Sequence, residues 1–233
     1  MKRAVIGVAL LAIVVSACTT SPGRDTASTA MTTEPAGSEP MGSGLPTSAP
    51  TQDASAARAA VARLEIDDQP HPGSPYRRDD WPTWVDIDHD GCDARSQALI
   101  GQSTTRAQVS FPGCEIVAGD WTSPYDGVET SDPGELDADH LVPLENVHES
   151  GGWRWDAGRR RAYANDQAVL VMVTAHANRS KGSRGPDEWR PALESYWCTY
   201  ATRWVALKVQ WQLTATTTER DALGQMLDRC AAS

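Results

Sequence analysis

Asp139 and His140 stand side by side in the run DADHLVPL at residues 137–144, and Asn178 follows His140 by 38 positions, in ANRSKG. An aspartate can hold a divalent cation, an imidazole can take a proton from water, and an amide oxygen can add a neutral ligand. Combined, these functions suit hydrolysis of a phosphodiester bond. An unperturbed histidine titrates near about 6.5, so His140 can serve as a base close to neutral pH. Two oxygen ligands completed by water suit Mg²⁺, with Mn²⁺ as a substitute, better than Zn²⁺, which prefers nitrogen and sulfur.

The elements around these residues follow from hydrophobic pattern and turn signals. Residues 136–182 read as a strand carrying Asp-His, a helical insertion, a strand at Ala168–Thr174 (AVLVMVT), and a turn or helix carrying Asn178. Upstream, an Ala-rich helix is predicted over Ala56–Leu64 and ended by Pro70, Pro72, Gly73 and Pro75. Short strands are expected at Trp84–Ile87, Val109–Phe111 and Glu115–Ala118. Downstream, the spacing of Trp189, Leu193, Trp197, Trp204, Val205 and Leu207 predicts a long buried helix within 188–213. A last helix follows, with Thr218 and Asp221 as its capping pair.

The chain begins with Met1, Lys2 and Arg3, continues through apolar or small residues from Ala4 to Ala17, and reaches Val15-Ser16-Ala17-Cys18. This resembles a bacterial lipoprotein signal, which implies a signal peptide over 1–17 and Cys18 as a lipid-modified N-terminus. The apolar stretch is shorter than the roughly 20 residues a membrane span requires. Residues 18–53 are dominated by Ser, Thr, Pro, Gly and Ala, which cannot offset the entropy of ordering, so they read as a tether. One domain is then expected over 54–233, lipid-anchored at the outer face of the membrane, or secreted if not lipidated. Apart from Cys18, the chain has Cys92, Cys114, Cys198 and Cys230. An even set in an exported chain predicts two disulfides. Three pairings are possible, and sequence proximity favours Cys92 with Cys114 and Cys198 with Cys230. No C-x-x-C spacing supports a zinc site.

Formal net charge is −10 and the pI is near 4.9, which argues against a polyanionic partner. Locally the balance reverses: Trp153–Arg190 holds eight Arg or Lys against four acids. A basic stretch around a metal site is what a phosphate backbone requires, whereas Arg159 to Arg161 alone equally fit a solvated helix face.

The runs DHLVPL, GGW, RRRAYAND, ANRSKG and CTYATRWVALK, together with the DxDxDGCDAR pattern at 86–95, resemble the small secreted or lipid-anchored bacterial proteins of the HNH endonuclease family. The resemblance extends from about Tyr76 to the C-terminus. It implies an α+β fold, a ββα-metal core embedded in a mostly helical, disulfide-stapled domain. It also implies that His140 is the general base, that Asp139 and Asn178 are metal ligands, and that Lys181 and Arg179 contact phosphate. Arg95 either assists the site or forms a structural ion pair near Asp93. Where many members carry an Asn that braces the catalytic loop, this chain has Val169; either Asn165, four residues earlier, substitutes or the brace is absent and activity weak. The expected activity is cleavage of nucleic acid, DNA before RNA, by a monomer with little sequence specificity. The alternative is a catalytically weak or inactive HNH-fold lipoprotein that binds, favoured by Val169 and the acidic pI. A different metal-dependent hydrolase finds no support, since neither H-E-x-x-H nor G-x-S-x-G is present.

The other chemistry-bearing residues have plainer readings. His71, His148 and Glu149 read as loop or solvent-facing residues, and His176 lies two positions from Asn178, off its helical face. Asp86, Asp88 and Asp90 mimic a calcium loop, but Gln97 stands where the closing Glu belongs. The nine tryptophans read mainly as core, with Trp153 and Trp155 also able to stack on bases.

Overall fold

The computed structural model describes residues 50–69 and 74–230. The signal segment, Cys18, nearly all of the tether and His71 lie outside the described residues. Within them the chain forms seven α-helices and three separate two-stranded antiparallel sheets, an α+β arrangement.

Helix α1 (Pro50–Val61) starts six residues before the predicted position, with Pro50 at its first turn, where a missing N–H costs nothing. It packs on α6 (Trp197–Trp211) and α7 (Thr217–Leu227). The long downstream helix is shorter than its hydrophobic pattern suggests. Pro191 interrupts it, and residues 194–196 form a 3-10 turn before α6 begins. In α7 the N-cap is Thr216, not Thr218. Its hydroxyl accepts the Glu219 N–H at 3.1 Å, giving the pair Thr216/Glu219.

Two strands, β1 (Gln108–Ser110) and β2 (Glu115–Ala118), pair as a hairpin near the predicted positions. The disulfide Cys92–Cys114 fastens this hairpin beside α2 (Ala94–Gln102), and Cys198–Cys230 joins the start of α6 to the end of α7; each has a Cα–Cα distance of 5.0 Å. Strands β3 (Trp121–Thr122) and β4 (Glu129–Thr130) form a second small ribbon. Trp84–Ile87 is not a strand. The Val85 N–H donates to the Asn165 side chain instead of a neighbouring strand, and Trp84 sits at φ 58°, which breaks an extended run.

The central ribbon is β5 (Leu136–His140) against β6 (Leu170–Thr174), with Asp139 opposite Val171 and His140 opposite Leu170. Their connection carries α3 (Leu144–Glu149) and α4 (Ala157–Ala164), and α5 (Ala175–Lys181) follows β6 directly. Side chains alternate across a strand. Leu136, Ala138, Leu170 and Met172 join the smaller core with α2 and the Cys92–Cys114 bridge. Val171 and Val173 join the larger core of α1, α6, α7 and the buried Trp81, Tyr125, Tyr163, Tyr200 and Trp204. The ribbon therefore lies between two apolar clusters, and its Asp-His end opens at the surface.

Candidate active site

Asp139 and His140, being adjacent on a strand, leave β5 on opposite faces yet border one cleft of about 300 Å³. Asn178, Arg78, Trp84, Tyr76 and Glu145 also line it. The sequence-predicted trio Asp139, His140 and Asn178 is thus brought together.

His140 is buried, and its Nε2 lies 2.9 Å from the Ala164 carbonyl. A nitrogen facing a carbonyl must carry the proton, so Nε2–H donates and the neutral ring keeps its lone pair on Nδ1. Burial drives the His140 pKa down to about 4; the Ala164 bond opposes this, and the charges of Lys181 and Arg78 add to it. The ring stacks on Trp84 with centroids 5.8 Å apart and planes 25° apart. Asn165, the residue after Ala164, fixes this wall with three hydrogen bonds of 2.8 Å. Its Oδ1 accepts from Val85, and its Nδ2 donates to the Pro82 and Arg161 carbonyls. Asn165 thereby clamps the backbone on both sides of Trp84.

Asp139 is buried and accepts three hydrogen bonds. Lys181 Nζ donates to its Oδ1 and Oδ2 at 2.9 and 2.8 Å, and Tyr125 O–H donates to Oδ2 at 2.6 Å. The third Lys181 donor goes to the His140 carbonyl at 2.9 Å. Burial pushes the Asp139 carboxyl up and the Lys181 ammonium down, each resisted by the other's charge. Lys181, expected at a phosphate, is fully buried beneath the cleft and beyond reach of a polymeric substrate.

Local sequence explains how α5 delivers these groups. Thr174 caps the helix by accepting the Ala177 N–H at 3.1 Å. Asn178 and Lys181, three residues apart, then share the face toward β5. Asn178 Nδ2 donates to Asp137 Oδ2 at 3.0 Å, which turns its amide oxygen the other way. Gly182, at φ 58° and ψ −134°, lets the chain leave the helix directly after Lys181, in a conformation closed to other residues.

Other expected residues lie elsewhere. Arg179 and His176 are exposed on α5. Arg95 donates at 3.0 Å to both the Pro133 and Leu136 carbonyls, a bracket between α2 and β5, while Asp93 caps α2 through Ser96. His148, expected in solvent, is buried with Nε2 on the Ser74 carbonyl. Two arginines of the basic run are turned inward. Arg159 stacks over Trp155 and donates to the Trp211 carbonyl, and Arg160 lies over Trp81 and donates to the Trp153 carbonyl. Asp86, Asp88 and Asp90 do cluster, but the Gln97 amide donates to Asp88 and Asp90. The cleft residues the sequence reading missed are Tyr76, Arg78, Trp84 and Glu145, together with Tyr125 buried against Asp139. Their roles arise from long-range packing, and only the density of Tyr, Arg and Trp in YRRDDWPTW hints at them.

A family model describing the C-terminal domain of GmrSD restriction endonucleases matches residues 96–226, from α2 through the Asp-His strand and α5 into α7. This chain belongs to that family. The GmrSD C-terminal domain match makes the chain a nuclease-related protein, and nucleic acid is the substrate class that goes with it. An uncharacterized secreted protein of Arthroderma benhamiae (strain ATCC MYA-4681 / CBS 112371) is 36% identical over 188 residues, 80% of this chain and 90% of that protein. No solved structure matches the chain.

Proposed function

We propose that this GmrSD C-terminal domain protein is an exported, divalent-metal-dependent endonuclease of the HNH type, with β5, β6 and α5 as its ββα-metal core. The observation that carries the reading is His140: neutral, held through Nε2 by Ala164, and bordering one cleft with Asp139 and Asn178. In this reading Nδ1 takes the proton of an attacking water as the new P–O bond forms and the bond to the leaving oxygen breaks.

The donor set suits a hard cation. A carboxylate offers about four lone-pair sites, and three hydrogen bonds on Asp139 leave capacity at Oδ1, which carries only one. The amide oxygen of Asn178 is oriented by Asp137. Asp139 and Asn178 would hold Mg²⁺ or Mn²⁺, which supplies charge stabilisation at the phosphate and leaving oxygen. Lys181 and Tyr125 keep the Asp139 carboxylate in place, and Asn165 braces the Trp84 wall where Val169 cannot. Lipid attachment at Cys18 belongs to the same reading; export is supported by the two disulfides and by the secreted relative. DNA is the preferred substrate, cleaved by a monomer with little sequence preference.

Nicking of supercoiled plasmid by the full chain in Mg²⁺ or Mn²⁺, abolished by EDTA and reduced by at least about 10²-fold in His140→Ala, is the expected result. Well-folded wild type that cuts nothing with any divalent ion would favour the alternative, a non-catalytic binding module, in line with the apolar Val169.

A further inference from the structure

Every phosphodiester carries a charge that the attacking water must approach, and the described cleft contains one cationic side chain along its lining, Arg78. Lys181 is buried on Asp139, Arg95 is held by two carbonyls, and Arg159 and Arg160 are turned onto tryptophans. Arg78 is held differently. It is exposed, in a 3-10 turn at Arg78–Asp80, with one Nη donating to the Trp81 carbonyl at 2.6 Å and the other to Thr83 Oγ1 at 3.0 Å. Those bonds use two of five guanidinium N–H donors and orient the plane, and three remain. Among the described residues no carboxylate forms an ion pair with it. Its anchors flank Pro82 and precede Trp84, the residue stacked on His140, so the guanidinium is referenced to the same wall as the base.

We propose that Arg78 is the substrate-phosphate contact of this cleft, donating to the non-bridging oxygens of the scissile phosphodiester beside His140. This deepens the nuclease reading and rests on it. A guanidinium matches two phosphate oxygens bidentately, and its hold strengthens as negative charge builds on them during attack. Arg78 exchanges no proton: the water proton goes to His140, and the leaving oxygen is protonated from solvent.

The test separates contact from cleavage. Full-length His140→Ala protein is titrated onto a fluorescein-labelled 20-base-pair DNA duplex in Mg²⁺ buffer across a salt series, alone and with Arg78→Gln or Arg78→Lys added. Thermal melts establish that each variant is folded. Removing one phosphate contact should weaken binding roughly tenfold for Arg78→Gln and lower the salt slope by about 1. Arg78→Lys should keep the slope. In the His140 background-free enzyme, Arg78→Gln should reduce plasmid nicking by about 10²-fold and Arg78→Lys by less. An unchanged slope for Arg78→Gln, or no binding of the duplex at all, overturns the proposal. Wild type that binds with the Arg78-dependent slope but never nicks supports the contact and removes the nuclease reading instead.

Discussion

His140 works, in this reading, because its surroundings fix both its tautomer and its charge. The Ala164 carbonyl takes Nε2–H, Trp84 covers one ring face, and burial keeps the imidazole neutral far below the ordinary histidine range. Holding Trp84 there has a cost, since a bulky residue at positive φ is strained. The Asn165 hydrogen bonds to Pro82 and Val85, one on either side of it, offset that cost. A pH dependence follows. With a folded pKa of about 4, His140 is a competent base throughout the neutral range, so the acid limb of kcat/KM should fall between about pH 4 and 5 instead of near 6.5. The stability linkage has the same origin. Below an unfolded pKa of about 6.5 the unfolded chain binds a proton that the folded site refuses. The contribution is therefore complete above that pH and lost as pH falls toward 4. Melting wild type and His140→Ala from pH 7 to 4 should show the wild type losing more stability; parallel losses, or an acid limb at 6.5, would mean a solvated ring.

Elements are tied together in this chain by buried charge as much as by apolar packing. Lys208 on α6 is fully buried, and the three N–H donors of its Nζ are shared among four acceptors: Asn146 on α3 at 2.8 Å, Ser150 at 2.6 Å, the Thr214 carbonyl at 2.9 Å and Glu219 on α7 at 3.1 Å. Trp204 Nε1–H donates to the same Glu219 carboxylate. Breaking one side of such a pair leaves an uncompensated charge, so Lys208→Met should cost about 3–5 kcal/mol. For a domain of this size that is roughly 10 °C in Tm. Lys208→Met with Glu219→Leu should recover most of it, and failure to recover would make the pair a net source of stability. None of this network was legible in the sequence, because the local pattern places the α7 cap at Thr218 and Asp221 and gives no sign that Lys208 and Glu219 meet across two helices. The site's trio was legible, since a period-two strand and a short following helix fix where Asp139, His140 and Asn178 can point. Arg78 and Trp84 were not, because a loop held by a side chain 80 residues away has no local pattern. The same loop defeats the strand expected at Trp84–Ile87, and Pro191 defeats the helix expected across 188–213.

At the scale of the whole molecule, the two disulfides bear differently on the cleft. Cys92–Cys114 closes a loop of sequence separation 22 within the smaller core, whose partly buried edge is Trp84 and whose members include Ala138 and Leu170 from the Asp-His ribbon. Cys198–Cys230, of separation 32, fastens α6 to α7 in the larger core, and neither cysteine lines the cleft. On loop entropy the two bridges should stabilise similarly, by about 3–4 kcal/mol each. Their effects on chemistry should nevertheless diverge. Replacing Cys198 and Cys230 together by Ser should lower Tm by roughly 10 °C and leave kcat at temperatures where the protein remains folded. Replacing Cys92 and Cys114 by Ser should lower Tm comparably and also reduce kcat, because the wall that holds the His140 ring loosens with the core beneath it. Equal kcat in both double variants, measured on plasmid at a temperature well below either melt, would show that the Trp84 wall is held by Asn165 alone and that the smaller core contributes only stability.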